Sequence, residues 1–386
     1  EDTYFSRVDF LEILRYADKR FIEIIPEIDL PGHSRAAIKA MENRYRYYAA
    51  LGEMDKASEY RLIHPGDDSK YKSVQNFNDN VIDPGLPSTY KFVDVVVSEL
   101  SEMYRESGLK MKWLHLGGDE VPRGVWENSP AVKKMIEENE ELNIAHDLFT
   151  YFFIQSAGIL EALDCRMVGW EEVVNSVSSG DTDILPQKDY LTPIAYIWNT
   201  VWGWDREDWA YRMAEKGYPV ILSNVGNLYF DLAYNSDPEE KGLFWAGYHN
   251  TRNVFEFTPF DFRKSAWIGR MGHPVDMEKF QAFKALAKSN EKMIYGIQGQ
   301  LWSERLPDEE RLHYMALPKT LALAERAWAK QPDWAVIAKD GDRLSSLDSA
   351  WADFTNLIGQ KELPRLDKMI SDGYSYRIPL PGAVIE

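Results

Sequence analysis

Short apolar runs alternate with longer amphipathic stretches along the chain. The apolar runs are rich in β-branched and aromatic residues and predict strands over residues 21–28, 111–116, 165–170, 193–198, 219–223 and 293–301. The amphipathic stretches have helical periodicity and predict helices over residues 6–20, 90–107, 144–163, 204–216, 277–289, 314–329 and 343–358. A strand followed by a helix, repeated in this way, predicts parallel strand pairing with the helices outside the sheet.

This repetition predicts an α/β fold of the TIM (β/α)8 barrel type, as a single catalytic domain over residues 1–386. The pattern supplies about six of the roughly eight strands that close such a barrel, and an open sheet exposes two rows of unpaired backbone groups. We therefore expect an N-terminally truncated domain whose first two strands lie upstream, and poor solubility or no activity for this piece alone. Segments 34–87 and 224–266 follow predicted strands, and we expect long loops there over the active-site face.

Composition narrows the range of ligands. The chain has 44 Lys and Arg against 62 Asp and Glu, a formal net charge of -18, which disfavours nucleic acid and anionic membranes and suits a neutral substrate. No apolar run approaches the roughly 18 residues of a membrane span. The seven His include no pair at i,i+4 spacing and Cys165 is the single cysteine, so we expect no metal, no cofactor and no internal disulfide.

Acidic and aromatic side chains stand at or just past the end of every predicted strand. In chain order they are Asp29, His33, Asp119, Glu120, Trp170, Trp198, Tyr229, Asp231, Trp302 and Glu304. Unpaired buried carboxylates cost on the order of several kcal/mol, so a soluble core does not place them there for stability. The chain also has 13 Trp, and although most belong in a core, pyranose faces stack well on aromatic rings. The pattern predicts a carbohydrate site.

Asp119 and Glu120 follow Gly117-Gly118 and form the sharpest feature. Neighbours on an extended chain point to opposite sides, so the two acids can address different parts of one ligand. Crowding pushes their pKa values apart, which favours one protonated and one ionised partner, as glycosidic cleavage requires. A pair of acids before Val121 is also compatible with a helix N-cap. This alternative stays open.

Two further groups have both a structural and a functional interpretation. His33 follows a strand end, where it could hydrogen-bond and tune a catalytic carboxylate, but a lone His is more often a satisfied structural residue. Glu171 and Glu172 follow Trp170 and form either a second acid pair or the acidic start of the next helix. We expect His115, which lies inside a predicted strand, to be structural.

The motifs EIDLPGHSRAA, WLHLGGDEVP, GWEE, YFD, LFWAG and QLWSE, in this order, resemble those of glycoside hydrolase family 20. The likeness extends to the bacterial chitobiase-like members through residues 37–77 and the tail ELPRLDKMISDGYSYRIPLPGA, and so covers nearly the whole chain. HLGGDE is its most specific element. The resemblance implies an exo-acting β-N-acetylhexosaminidase that removes terminal GlcNAc or GalNAc from chitobiose, chitooligosaccharides or glycans. It also implies chitin degradation and a periplasmic or secreted bacterial protein.

The mechanism implied by this resemblance is substrate-assisted, with the 2-acetamido oxygen of the substrate attacking the anomeric carbon. By resemblance, Glu120 is the general acid that later activates water, Asp119 holds the acetamido N–H, and Tyr229 hydrogen-bonds the acetamido oxygen. The other residues that match are Trp170, Trp198 and Trp302 around the acetamido methyl and the sugar ring, Asp231, Trp245 and Glu304 at the outer hydroxyls, and Asp29 and His33 in the network behind the acid.

The start of the chain departs from the family pattern. A substrate-binding Arg near the first barrel strand and an HLTDDQGW-like motif on the second do not occur, so the site is expected to be incomplete. Two other functions stay open. One is a conventional retaining glycosidase with Glu304 or Glu172 as nucleophile. The other is a sugar-binding protein without catalysis, against which the acid pair argues.

Overall fold

The computed structural model describes residues 4–139, 146–176, 183–184, 192–266, 269–369 and 376–378. The chain divides into two compact units, Glu1–Ala195 and Tyr196–Glu386. The single catalytic domain over residues 1–386 stays a prediction. None of the helices in the described residues is both long enough and apolar enough to cross a membrane.

The described part of the first unit has an α/β arrangement. Its helices are α1 Arg7–Asp18, α2 Arg35–Ala50, α3 Met54–Ser58, α4 Pro87–Glu106, α5 Pro130–Glu138 and α6 His146–Ala162. Its strands are β1 Trp113–His115, β2 Arg166–Trp170, β3 Asn175–Ser176, β4 Asp183–Ile184 and the start of β5 Ile194–Ile197, and a 3-10 turn spans Glu171–Val174. Strands β1 and β2 pair in parallel, with Leu114 opposite Met167, and β3 and β4 pair antiparallel.

Local sequence explains where these elements begin. Ser6 and Asp9 form a reciprocal capping box at the start of α1, which satisfies two backbone N–H groups that the helix leaves unpaired. The Ser129 hydroxyl accepts from the backbone N–H of Val132 at the start of α5. Strand β2 is an apolar run buried over its last four residues, as expected for a parallel strand covered on both faces.

One prediction for the first unit is wrong. Phe21 is fully exposed in the turn after α1, and residues 21–28 form no continuous strand. Pairing is limited to a bridge between Glu27 and His115, with hydrogen bonds on either side of it. Pro26 contributes to this, because it has no N–H to donate to a ladder. Segment 34–87 contains helices α2 and α3, and its place as a long loop over the active-site face stays a prediction.

The second unit continues the alternation of strand and helix. Its strands are β5, β6 Val220–Leu222 and β7 Ile294–Ile297, in that order across the sheet, with β6 and β7 parallel. Its helices are α7 Trp209–Glu215, α8 Val225–Leu228, α9 Thr251–Phe255, α10 Glu309–Ala316, α11 Lys319–Trp328, α12 Asp333–Val336, α13 Asp340–Leu357 and α14 Leu363–Met369. Shorter turns span Phe262–Ser265, Lys279–Ala282, Lys288–Met293, Ser303–Arg305 and Ile358–Glu362.

Two predictions for the second unit are wrong. The single helix over 314–329 is two helices, α10 and α11, because Pro318 lacks the N–H that a continuous helix needs. The helix over 277–289 is replaced by two separate 3-10 turns. Segment 224–266 contains helices α8 and α9, and its place as a long loop over the active-site face stays a prediction.

Candidate active site

Four of the site residues predicted from the sequence meet in the first unit. Asp29, His33 and Asp119 each offer a side-chain atom within 4.8 Å of the other two. The Nε2 atom of His33 lies 3.5 Å from Asp119 Oδ2 and 3.5 Å from Glu120 Oε2. Because the side chains of His33, Asp119 and Glu120 are 14–25% exposed, the cluster is sheltered but open to a ligand. This group of four residues is named the acid cluster.

The Gly117-Gly118 pair explains how these side chains come so close. Gly117 has φ +68°, and a Cβ atom there would lie 1.7 Å from Asp29 Oδ1. Gly118 has φ +109°, and a Cβ there would lie 2.7 Å from Val173 Cγ1. The N–H of Gly118 donates to Asp29 Oδ1 at 3.3 Å. Only glycine has both the backbone freedom and the space that this geometry requires.

Backbone strain is concentrated on two members of the cluster. His33 has φ +49° and Glu120 has φ +54°, in the left-handed region that non-glycine residues seldom adopt. Such a conformation costs on the order of 1–3 kcal/mol and persists only where the surrounding structure enforces it. These conformations direct the side chains of His33 and Glu120 towards each other, with His33 Nε2 3.5 Å from Glu120 Oε2. This favours a functional interpretation of His33.

Mutual contacts set the charges in the cluster. The carboxylates of Asp119 and Glu120, each 3.5 Å from the Nε2 atom of His33, raise the pKa of His33 to about 11, so it is a cation at neutral pH. Burial, followed by the charge of Asp119, raises the pKa of Asp29 well above its usual range. Burial alone would raise the pKa of Glu120, but His33 and Gln75 outweigh it and lower that pKa. Asp29 therefore holds its proton more firmly than Glu120 does.

Protonation also bears on metal binding. Asp29, His33 and Asp119 have donor types that a cation could use. A histidine ligates a metal through a deprotonated nitrogen, and His33 is held in its protonated form by two carboxylates. The three residues therefore suit an ion pair better than a metal, and the absence of a metal stays a prediction.

Gln75 is a member of the site that the sequence did not reveal. Its side-chain amide donates to Glu120 Oε2 at 2.6 Å, from a position 45 residues earlier in the chain. It lies within residues 37–77, which resemble the chitobiase-like members as a stretch, but nothing in that resemblance singles out Gln75 among the neighbouring polar residues. Because an amide donor stabilises the ionised form of a carboxyl group, Gln75 holds Glu120 as an anion in the free protein.

Trp170 lies at the end of β2 and is 1% exposed. Its indole N–H donates to Glu27 Oε1 at 3.1 Å, and its ring and that of His115 meet edge to face with their centres 4.7 Å apart. The Nδ1 atom of His115 accepts from the N–H of Gly117 at 3.2 Å, so this histidine supports the Gly-Gly turn. A role for Trp170 at a sugar ring stays a prediction.

Tyr229 lies at the centre of the predicted residues in the second unit. It is buried in an apolar cluster, against which Trp198, Trp245 and Trp302 pack with part of each side chain accessible. The rings of Tyr229 and Trp245 meet edge to face with their centres 6.1 Å apart. The rings of Trp198 and Trp245 do the same with their centres 6.4 Å apart. The structure thus brings these four aromatic residues together, in a form suited to an apolar sugar face or methyl group.

Asp231 supplies a buried acid beside this aromatic group. It is 3% exposed, and its Oδ1 atom is buried with no hydrogen-bond partner among the described residues. Burial raises its pKa to about 6, while backbone N–H groups, including that of Trp302, act in the opposite direction. A buried acceptor without a partner is costly, so it indicates a position that a ligand donor completes. The charge of Glu304, which is exposed, also raises the pKa of Asp231.

Comparison with known proteins places the chain in a family. The family model "Glycosyl hydrolase family 20, catalytic domain" matches residues 1–331, and the chain belongs to this family. It is 35% identical over 406 residues to a β-hexosaminidase of Vibrio vulnificus, a match that covers 99% of the chain and 46% of the relative. It is 32% identical over 423 residues to an N,N'-diacetylchitobiase of Vibrio harveyi, with coverage of 99% and 46%.

The fold has a match among solved structures. An exo-β-N-acetylglucosaminidase from Vibrio harveyi, crystallised in complex with N-acetylglucosamine, aligns with a TM-score of 0.65 and 28% identity, over 97% of the chain and 46% of that structure. The resemblance to glycoside hydrolase family 20 is confirmed by the family model. The predicted barrel class is also confirmed, since the catalytic domains of these neighbours are TIM barrels. The number of strands stays a prediction. The chain spans about half the length of the curated relatives it matches, at 46% of each.

Proposed function

We propose that the protein is an exo-acting β-N-acetylhexosaminidase that removes terminal GlcNAc or GalNAc from chitobiose, chitooligosaccharides or glycans. The observation that carries the proposal is the acid cluster, in which adjacent acids share one cationic histidine at 3.5 Å from each. The Oδ1 atom of Asp119 is buried without a hydrogen-bond partner among the described residues, which suits an acceptor waiting for an acetamido N–H.

The two adjacent acids have different tasks in this reaction. Asp119 accepts the acetamido N–H and turns the acetamido oxygen towards the anomeric carbon, so no enzyme nucleophile is required. Glu120 donates a proton to the leaving oxygen and then accepts one from the attacking water. Tyr229 donates to the acetamido oxygen, and Asp231 accepts from an outer hydroxyl.

Glu120 must gain a proton before the glycosidic bond breaks. In the free protein His33 and Gln75 favour its anion. A bound aglycone that separates the Gln75 amide from Glu120 and excludes water removes part of this stabilisation, and the pKa of Glu120 then rises. Substrate binding therefore prepares the acid. The leaving oxygen itself accepts the proton as the bond breaks.

The test is release of p-nitrophenol by the full-length protein from the β-glycosides of GlcNAc, GalNAc and glucose. The first two should be cleaved and the glucoside should not, since it lacks the acetamido nucleophile. Cleavage of all three, with trapping by a 2-fluoro sugar, would support a conventional glycosidase with Glu304 or Glu172 as nucleophile. Binding of GlcNAc without any release would support a sugar-binding protein.

Location is a separate part of the proposal. From the family resemblance we infer that the protein acts in the periplasm or outside a bacterial cell. Detection of the protein in fractionated host cells tests this, and its confinement to the cytoplasmic fraction would refute it.

The net charge of -18 supports a neutral sugar rather than a nucleic acid as the partner.

A further inference from the structure

Lys319 is a buried lysine whose side-chain nitrogen the proposed reaction does not use. It is the first residue of helix α11, and it is 0% exposed. Both features count against a lysine there. Burial lowers its pKa to about 7, and the positive end of the helix dipole repels a cation at the first turn. Lys319 does not stabilise its own helix, and its side chain instead has partners in other parts of the fold.

The ammonium group has such partners in the Tyr229–Asp231 region. Its Nζ atom donates to the carbonyl oxygen of Phe230 at 2.8 Å and to that of Leu232 at 3.2 Å. It also lies 3.8 Å from the ring centre of Tyr234, in the geometry of a cation–π contact. The two carbonyls belong to the residues immediately before and after Asp231, so the ammonium fixes the backbone on both sides of this acid.

Each backbone carbonyl from residue 229 to residue 233 has a partner. The Tyr229 carbonyl accepts a hydrogen bond from Nδ1 of His249. Burial lowers the pKa of His249 to about 3, so the donor is a neutral imidazole. The carbonyls of Asp231 and Ala233 accept from the backbone N–H groups of Leu243 and His249. Those of Phe230 and Leu232 accept from the Lys319 ammonium. Removing the ammonium would take this donor from two buried acceptors, which is costly in a segment closed to water.

We propose that Lys319 is a positioning residue, whose ammonium holds segment 229–233 so that the side chains of Tyr229 and Asp231 keep the geometry that sugar recognition requires. The kinetic part of this inference rests on the proposed function, whereas its structural part does not. Asp231 is assigned to an outer hydroxyl, and GlcNAc and GalNAc differ in the configuration at C4. Displacing Asp231 should therefore change the preference between the two sugars.

The experiment compares Lys319→Met, Lys319→Arg and the matched control Lys330→Met in the full-length protein. Lys330 is exposed just past the end of α11, so its replacement makes the same lysine-to-methionine change without touching the segment. Hydrogen–deuterium exchange is followed at the Phe230 and Ala233 amides, which donate to Gln300 and Leu243. In Lys319→Met we expect exchange at these two amides to become about tenfold faster, with the rest of the unit unchanged.

Kinetics give the second readout. In Lys319→Met, kcat/KM should fall about 10²-fold on the preferred sugar, because a displacement of about 1 Å in a positioning contact has that effect. The ratio of GlcNAc to GalNAc activity should change, and Lys319→Arg should restore most of both. If Lys319→Met does not fold, Lys319→Gln, which keeps an N–H donor without the charge, takes its place and should show a smaller local effect.

Several results would overturn the inference. Exchange that is unchanged, or faster throughout the unit, would refute a local role. Equal loss of both sugar activities would also refute it, because a purely structural residue only lowers the folded fraction. Equal loss in the Arg and Met variants would refute the need for an N–H donor at this position. If the unmodified protein cleaves neither sugar, the proposed function fails, and the exchange data alone decide the role of Lys319.

Discussion

Replacing Gly117 with alanine tests the geometry of the acid cluster directly. The new Cβ would lie 1.7 Å from Asp29 Oδ1, whereas real Cβ contacts essentially never fall below 3.0 Å. Asp29 or the backbone of Gly117 must therefore move by roughly 1.3 Å. Since a displacement of about 1 Å costs about 10²-fold in rate, kcat/KM on p-nitrophenyl GlcNAc should fall by about that factor.

The stability cost has two parts. The positive φ of Gly117 makes any L-residue unfavourable by about 1–2 kcal/mol, and the overlap with Asp29 adds about 1–3 kcal/mol. Gly108→Ala is the matched control, because Gly108 has φ +80° and a Cβ atom added there would meet nothing within 4 Å. Urea unfolding of both variants isolates the overlap as the difference between them. The control should keep its activity.

A definite result would refute this account. If Gly117→Ala unfolds within about 0.5 kcal/mol of Gly108→Ala, the overlap costs nothing, since surface changes alone have effects of that size. If its activity is also within about twofold of the unmodified enzyme, the position of Asp29 has no bearing on catalysis. Loss of stability with full activity would show that the contact serves folding only.

Three further predictions concern the acid pair and its partner. Glu120→Gln should lower turnover of chitobiose by about 10²- to 10⁴-fold and that of activated phenyl glycosides less; near-normal turnover of chitobiose would exclude Glu120 as the acid. A thiazoline analogue of GlcNAc should inhibit strongly as a mimic of the cyclised intermediate, and Asp119→Asn should weaken that inhibition in a folded enzyme; binding no tighter than free GlcNAc would contradict substrate assistance. Gln75→Ala removes a donor that stabilises the Glu120 anion, so the pKa of this acid should rise. The alkaline limb of kcat/KM, which reports loss of the acid proton in the free enzyme, should then move to higher pH, and an unmoved limb would show that Gln75 does not tune the acid.

Sequence patterns located the central strands well, because a strand buried on both faces must be an uninterrupted apolar run. Strand β2 falls inside its predicted range of 165–170, and β6 falls inside 219–223. Helix boundaries were less secure, since one proline at position 318 divides a periodicity that otherwise continues. Periodicity also failed over 277–289, where local 3-10 turns form instead.

The candidate site was predictable where it depends on motifs and unpredictable where it depends on distant contacts. Asp119 and Glu120 follow a Gly-Gly pair that any inspection of the chain reveals. Gln75 and Lys319 carry no such signal, because their partners lie 45 and 89 residues away along the chain, and only the folded backbone brings them together. In an amphipathic pattern Lys319 is indistinguishable from a solvated lysine.

The left-handed backbone conformation of Glu120 lowers the stability of the protein at a residue that its activity requires. Asparagine and glycine tolerate this conformation better than glutamate does, so either substitution relieves strain while it removes the acid. A laboratory selection for heat resistance alone would therefore enrich inactive variants at this position. A screen that also scores sugar release would retain the strained residue.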